Sequence, residues 1–527
     1  MLRTTVGILL AVLVAGTYAF IGQSPGPNQM SRIDTLYALA GEGRFSIETL
    51  GGNTMDFGTY DGRPYSDKPP GLTYLALPAY TLTLGAQRAT RHPPPADSSL
   101  YAALWTTTLS TTVLLSALGV LALWTLLLSL CDRPREALLG TLACWFGTLA
   151  LPYGSTLFSH TPVIGLLCIA MAAILLPTGT ARPHSTGMMW WRAGTWLGGI
   201  AALLLTLWTG LKLSGIDAGL PVAVLLLATL GLSALILLAS GTWTMTTGHG
   251  GAAGLRRRDA LAGVALGIAV LCEFMAAFPA LALWIVLLTR DSRRALRAAG
   301  WAALPLLLLP LTNWLCFGSP FRLGYSTNAF AWMRSGFFGI TLLPNPYALL
   351  LLLFSGNKGL LFWSPCLVLA IPGFQELYAR HRTLCLAIGI SSALLLLAIA
   401  TTGNPGGGWA VGPRYLAPMI PLLIVPMTFG LRTLPRFGAG LIALSIGLNL
   451  LAAVVNPLPP PEIGVPLTQF YLPMLAVGRV QPNAGSYLGL SPLAGLLPPT
   501  CFAAALGIVI WPLAGRLPRK RTGNSPP

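Results

Sequence analysis

The chain has 527 residues, 54% hydrophobic and 9% charged, with a mean hydropathy of +0.70 and a formal net charge of +17. A soluble domain carries about 25% charged residues, so this composition excludes a soluble enzyme. The positive charge is not a nucleic-acid signature either: Arg and Lys gather at the ends of apolar runs, as the positive-inside bias demands, and no nucleic-acid partner is expected.

Apolar runs near twenty residues recur along the chain, the length a helix needs to cross a bilayer. Alternating strands are absent, which argues against a β-barrel. The reading is an all-α, polytopic integral membrane protein with about fourteen membrane segments. The eight cysteines show no CxxC and no paired spacing. Cys144, Cys168, Cys272 and Cys385 lie inside apolar runs as small hydrophobes, so neither disulfides nor a zinc cluster is expected.

In chain order, Thr4–Ile21 is a first span behind Arg3, with its N-terminus inside. It is too long for the apolar core of a signal peptide. An outer loop, 23–98, follows. It holds seven of the fifteen acidic residues: Asp34, Glu42, Glu48, Asp56, Asp61, Asp67 and Asp97. Within it, Gly71–Gly85 is apolar but short and contains Pro78, which predicts a helix lying on the membrane surface. Leu100–Leu130, Ala137–Leu151 and Pro162–Leu176 are further spans, the last two joined by PYGSTLFSH. Two more are expected at Ala193–Leu211 and Leu220–Ser240. Ala260–Thr289 has strongly basic flanks on both sides, so two short passes bent near Phe278-Pro279 keep both flanks inside. Later spans alternate with outer loops at 317–350, TTGNPGGGWAVGPRY and a Pro-rich segment, 456–492. The chain ends on the basic tail Arg516–Arg521, with both termini cytoplasmic.

The polar residues that carry chemistry gather on the outer side. Asp34 sits in the amphipathic SRIDTLYALAGEG; an aspartate there also serves as a helix-start residue. In YSDKPPG, Pro69-Pro70 stiffens the loop and fixes Asp67 and Lys68 at the membrane surface. A lysine there suits a lipid-linked phosphate as a compact point charge, or ordinary headgroups. Asp61–Tyr65 reads as a turn. His160 ends PYGSTLFSH at a helix mouth and, with Asp67, could hold a divalent metal. Arg414, in GGGWAVGPRYLAP, falls outside against the charge bias, which suits an anion or snorkelling to headgroups. Glu273 lies within an apolar run and needs a partner.

Taken together, the acidic loop, Lys68-Pro69 in YSDKPPG, Ser159-His160, NWLCFGSPF (Asn313–Phe321) and GGWAVGPRYL (Gly407–Leu416) resemble bacterial GT-C glycosyltransferases. These are polyprenyl-phosphate-sugar-dependent membrane enzymes related to the protein O-mannosyltransferases and the aminoarabinose lipid A transferases. The similarity covers most of the chain, with 182–258 looking like an addition. It implies a GT-C-like transmembrane catalytic region over 1–455, whose large first extracytoplasmic loop carries short surface helices. Residues 456–527 then supply the outer Pro-rich segment, the last helix and the tail. The resemblance places Asp34 at the catalytic carboxylate of an acidic pair. Its neighbour here is Thr35, so the pair is broken and Asp56 could share the role. Lys68 matches the lysine that meets the lipid phosphate, with Arg414 as a second cation. Asp67 and His160 fall near positions that hold a metal in some relatives. Tyr65, Glu273, Trp409 and Tyr415 are expected to support the site.

The function so implied is transfer of a sugar from a polyprenyl-phosphate donor to an extracytoplasmic protein, lipid or glycan, at the bacterial cytoplasmic membrane. Direct displacement from an activated donor needs one carboxylate base rather than a glycosidase pair. The alternatives are a transporter or flippase of a lipid-linked glycan, which would hold its polar sites mid-membrane, and a non-catalytic assembly subunit of the same fold.

Overall fold

The structure, a computed structural model, describes residues 2–22, 25–89, 96–177, 197, 220–246, 252–328 and 345–518. Its elements are overwhelmingly helical. Among the described residues, seven helices are long and apolar enough to cross a bilayer: Leu2–Phe20, Leu100–Leu130, Leu227–Met245, Ser292–Phe317, Arg382–Ala400, Pro435–Val455 and Ala494–Gly515. Three shorter apolar helices, His160–Leu175, Phe274–Arg290 and Arg414–Gly430, accompany them. The chain is a multi-pass helical membrane protein.

The helix His160–Leu175 lies at the centre, and every one of its residues is buried. It is apolar on all sides, as a helix surrounded by others must be. Its 16 residues rise about 24 Å, short of a hydrocarbon core of about 30 Å. Packed in protein, it needs no match to lipid. Glycine sets its closest crossing: a Cβ on Gly165 would come within 2.4 Å of the Leu115 carbonyl oxygen, and one on Gly119 within 2.6 Å of the Gly165 Cα. The first helix, Leu2–Phe20, is fixed at its two ends. Trp124 donates its indole N–H to the Arg3 carbonyl at 3.0 Å, and the Tyr18 hydroxyl donates to the Trp145 carbonyl at 2.6 Å.

Three expectations need correction. The helix expected on the membrane surface spans Gly71–Ala89, and its first half is buried from Gly71 to Leu77. A Cβ on Gly71 would meet the backbone of Leu271 and Cys272 at 2.7 Å, and the Tyr74 carbonyl lies 2.3 Å from a Cβ placed on Gly231. The lack of side chains at Gly71 and Gly231 lets this helix dock inside the bundle, a contact that hydropathy does not register. Second, the break in Ala260–Thr289 falls at Glu273, in extended backbone (φ −153°, ψ 112°), rather than at Phe278-Pro279. Pro279 sits in the first turn of the next helix, Ala277–Arg290, where a missing N–H costs nothing. The two-pass geometry itself is present. Asp259, near the start of the first pass, pairs at 2.7 Å with both Arg294 and Arg297, just beyond the end of the second. Both basic flanks therefore share one end of the molecule. Third, the turn at Asp61–Tyr65 belongs to a hairpin, β1 (Phe57–Tyr60) against β2 (Arg63–Ser66). Of the expected addition, Ala193–Leu211 lies outside the described residues apart from Leu197, whereas Leu220–Thr246 is a helix that includes Gly231 and packs on Gly71–Ala89.

Candidate active site

The hairpin is the hinge of the site. Its turn, Asp61-Gly62, has positive φ at both residues (50° and 73°), the geometry of a tight two-residue connection. By pairing Phe57 with Ser66, it carries Asp56 back beside Asp67 and Lys68. The Lys68 ammonium lies 3.0 Å from Asp56 Oδ2 and 3.0 Å from Asp67 Oδ1. Ser31 Oγ donates to the Asp56 carbonyl and lies 2.7 Å from Ser66 Oγ, fastening the hairpin to the helix Pro27–Tyr37. Arg32, 1% exposed, donates to the Pro69 carbonyl at 3.0 Å, and Asn328 donates to Asp67 Oδ2 at 2.8 Å. The Lys-Pro-Pro segment is thus held by both its stiffness and an arginine.

The charges respond to this packing. Burial is the largest influence on Asp56 and raises it, but the charge and hydrogen bond of Lys68, with Arg414 and Arg32, together outweigh burial and hold the carboxyl below its ordinary range. In Asp67 burial outweighs Lys68, and the group is raised. Lys68 itself is raised, because the pull of Asp67 and Asp56 exceeds its burial penalty.

Arg414 arrives from the glycine loop. Gly407, Gly408 and Gly412 adopt φ of +73°, +67° and +60°, a region open to glycine at little cost. This lets the loop double back over the site. The loop is anchored from beneath by Lys358, 3% exposed, which donates to the carbonyls of Gly408 and Ala410. Burial, with Arg414 nearby, lowers Lys358 to about 7. The Arg414 guanidinium stands 5.5 Å from the Phe158 ring and 5.1 Å from the Tyr415 ring. Its Nη2 donates to the Tyr415 hydroxyl at 3.3 Å, and its buried Nε has no partner among the described residues.

Asp56, Lys68 and Arg414 line one cleft of about 180 Å³, together with Asn28, Asn404, Phe158, Trp409 and Tyr415. Segments far apart in sequence meet there; of the site residues expected from the sequence, Asp56, Lys68, Trp409, Arg414 and Tyr415 share this lining. Asp34 is not part of the lining. It is six residues beyond Asn28 on the same helix, roughly 240° round the axis, and its electrostatic neighbours are Asn53 and Tyr80. Among the described residues neither carboxylate oxygen makes a hydrogen bond of ordinary geometry; burial pushes Asp34 up to about 7, with Asn53 offsetting part of the rise.

Asp67 and His160 are not brought together as metal ligands. The Asp67 oxygens face Lys68 and Asn328. The carboxylate against His160 is Glu273, 3.5 Å from Nδ1, whose Oε2 also accepts from Ser159 at 2.9 Å. The break at Glu273 thus supplies the partner that its burial demands. Among the described residues no group of three or more His, Cys, Asp and Glu side chains could hold a metal ion, so no step is derived through one. His160 packs among Tyr153, Phe158 and Tyr415 at 5.3, 5.7 and 6.3 Å between ring centroids. It forms the aromatic floor behind Arg414. Tyr65 packs edge-on against Phe317 at 5.4 Å and supports the hairpin rather than the cleft.

Four residues of the site escape a reading of the sequence: Asn28, Arg32, Lys358 and Asn404. Lys358 carried a signal, since it is a lone cation just beyond an apolar run. The amides carried none.

Fold and site together define a polytopic membrane protein with a charged, aromatic-walled cleft built from loops at helix ends. No family model matches the chain, and no curated protein matches it. Among solved structures it is similar to ArnT from Cupriavidus metallidurans in the apo state, at 16% identity and a TM-score of 0.41, covering 97% of this chain and 76% of that one. It is also similar to the archaeal oligosaccharyltransferase AglB from Archaeoglobus fulgidus, solved with an inhibitory peptide and a dolichol-phosphate. There the identity is 13% and the TM-score 0.32, covering 95% of this chain and 55% of that one. Likeness at this level carries no inference about chemistry, which rests on the cleft.

Proposed function

We propose that the chain is a membrane glycosyltransferase that moves a sugar from a polyprenyl phosphate to an acceptor hydroxyl or amine on the extracytoplasmic side. The observation that carries this reading is the convergence of Asp56, Lys68 and Arg414 in one cleft walled by Trp409 and Tyr415. Such a transfer needs a base, a cation for the leaving phosphate and a surface for the sugar. Asp56, kept ionised by Lys68, accepts the acceptor's proton. The acceptor oxygen or nitrogen bonds to the anomeric carbon as the bond from that carbon to the phosphate oxygen breaks. The departing electron pair stays on the phosphate, where Arg414 meets it with a guanidinium whose Nε has no partner among the described residues. Because charge grows there as the bond breaks, this contact strengthens along the reaction. Lys68 acts partly through Asp56, to which it is already paired.

The test is purified protein in proteoliposomes, supplied with labelled polyprenyl-phosphate sugars and an envelope extract as acceptor. Label should pass from the lipid to a polar product, and Arg414→Ala should stop it. Movement of intact lipid-linked sugar across the bilayer with no transfer would replace the enzyme by a transporter.

A further inference from the structure

Resting on that transferase reading, we propose that the cleft takes an uncharged sugar and discriminates against cationic and anionic sugars. Among the described residues the wall has one carboxylate, Asp56, and it is committed to Lys68 at 3.0 Å. Asp67 is engaged by the same lysine from behind the wall. An ammonium on the sugar would find no free carboxylate on the lining and would share the cleft with Arg414. A unit charge held beside a like charge, or left uncompensated in a buried site, is disfavoured by one to several powers of ten. A carboxylate on the sugar meets the opposite difficulty. The cation on the wall without a carboxylate partner among the described residues is Arg414, and one phosphate charge already claims it.

The rest of the lining is neutral and suited to hydroxyls. Asn28 lines the cleft, and its Oδ1 is buried with no partner among the described residues. A buried acceptor of this kind costs stability unless something donates to it, and a sugar hydroxyl would. Asn404 adds a second amide to the wall. Trp409 is 50% exposed and projects from between Gly408 and Ala410, the two residues whose carbonyls Lys358 holds. It is a positioned aromatic platform for the apolar C–H face of a pyranose. The room of about 180 Å³ is enough for a sugar ring.

Three synthetic donors that differ at one carbon test this: polyprenyl-phosphate glucose, its 6-amino-6-deoxy analogue and its glucuronate. Binding to the full chain in nanodiscs at pH 7 is measured by competition against labelled polyprenyl phosphate. The neutral donor should bind tighter than either charged one by about tenfold or more. Asn28→Asp, which places a carboxylate in the wall, should shrink or reverse the preference against the amino sugar while weakening the glucuronate further. Equal affinity for the three donors, or an Asn28→Asp preference identical to wild type, would overturn the inference and leave the transferase reading standing. Failure of polyprenyl phosphate itself to bind would overturn both.

Discussion

Asp56→Asn tests the placement of the base, and Asp34→Asn is its control. Asp56 lines the cleft 3.0 Å from the Lys68 ammonium, so its carboxylate is ionised and ready to take a proton. An amide of the same shape cannot take one. Loss of a general base costs about 10²–10⁴ in kcat, or about 3–5 kcal/mol of transition-state stabilisation. Donor affinity should change much less, because Arg414 still meets the phosphate and Lys68 keeps Asp67 as a partner. Asp34 lies off the cleft, so Asp34→Asn should keep kcat within about threefold. The assay is the transfer rate from a labelled polyprenyl-phosphate sugar in proteoliposomes. It is run against donor concentration and normalised to folded protein by size exclusion and thermal melting. A hundredfold loss in Asp34→Asn with near-normal turnover in Asp56→Asn would refute the assignment and return the base to the helix Pro27–Tyr37.

Other measurements probe the rest of the site. Arg414→Lys keeps the charge but loses the planar fork, and should weaken donor binding about tenfold; unchanged affinity would remove Arg414 from the phosphate. Lys358, lowered to about 7, is protonated below neutrality and loses charge above it, so the donor KM should rise as pH passes from 6 to 8. Lys358→Met should give a raised, pH-flat KM with little change in kcat, and a wild-type profile in that variant would dismiss the anchor. Asp34, raised to about 7 by burial, binds a proton in the folded state that the unfolded chain, with a carboxyl near 3.9, has released. Folded stability therefore falls between about pH 4 and 7. The Tm of Asp34→Asn should exceed that of wild type by a margin that widens over this window; a constant margin would show that Asp34 is not strained. In a cysteine-depleted background, Thr59→Cys on the hairpin should react with an impermeant thiol reagent from outside the cell, and Arg293→Cys should react after permeabilisation. Labelling of both from one side would break the topology.

Much of this protein was legible in one dimension. Membrane residence follows from composition and run length, because lipid admits almost no alternative to satisfied helices. The shared end of the basic flanks of Ala260–Thr289 followed from charge bias, and the pairs of Asp259 with Arg294 and Arg297 realise it. Arg414 stood out because a cation placed against that bias needs a reason, and Lys68 because Pro69-Pro70 stiffens the loop that holds it. The hairpin was half visible, as a turn over Asp61–Tyr65, of which Asp61-Gly62 is the turn and Arg63–Tyr65 belong to the second strand. Its strands are four residues each, too short for alternation to show.

The tertiary structure decided what faces what. Asp34 and Asn28 share one helix, and no local signal says which of them looks into the cleft; the docking of that helix through Ser31 and Arg32 settles its rotation. The break falls at Glu273, whose carboxylate accepts from Ser159, 114 residues away, and not at the nearby proline. Gly71–Ala89 is apolar enough for a membrane surface, yet Gly71 and Gly231 let it pack inside. In each case the sequence by itself set the chemistry each residue could offer. Orientation came from packing between segments distant in the chain, whose energies depend on shape and burial and leave no periodic trace along it.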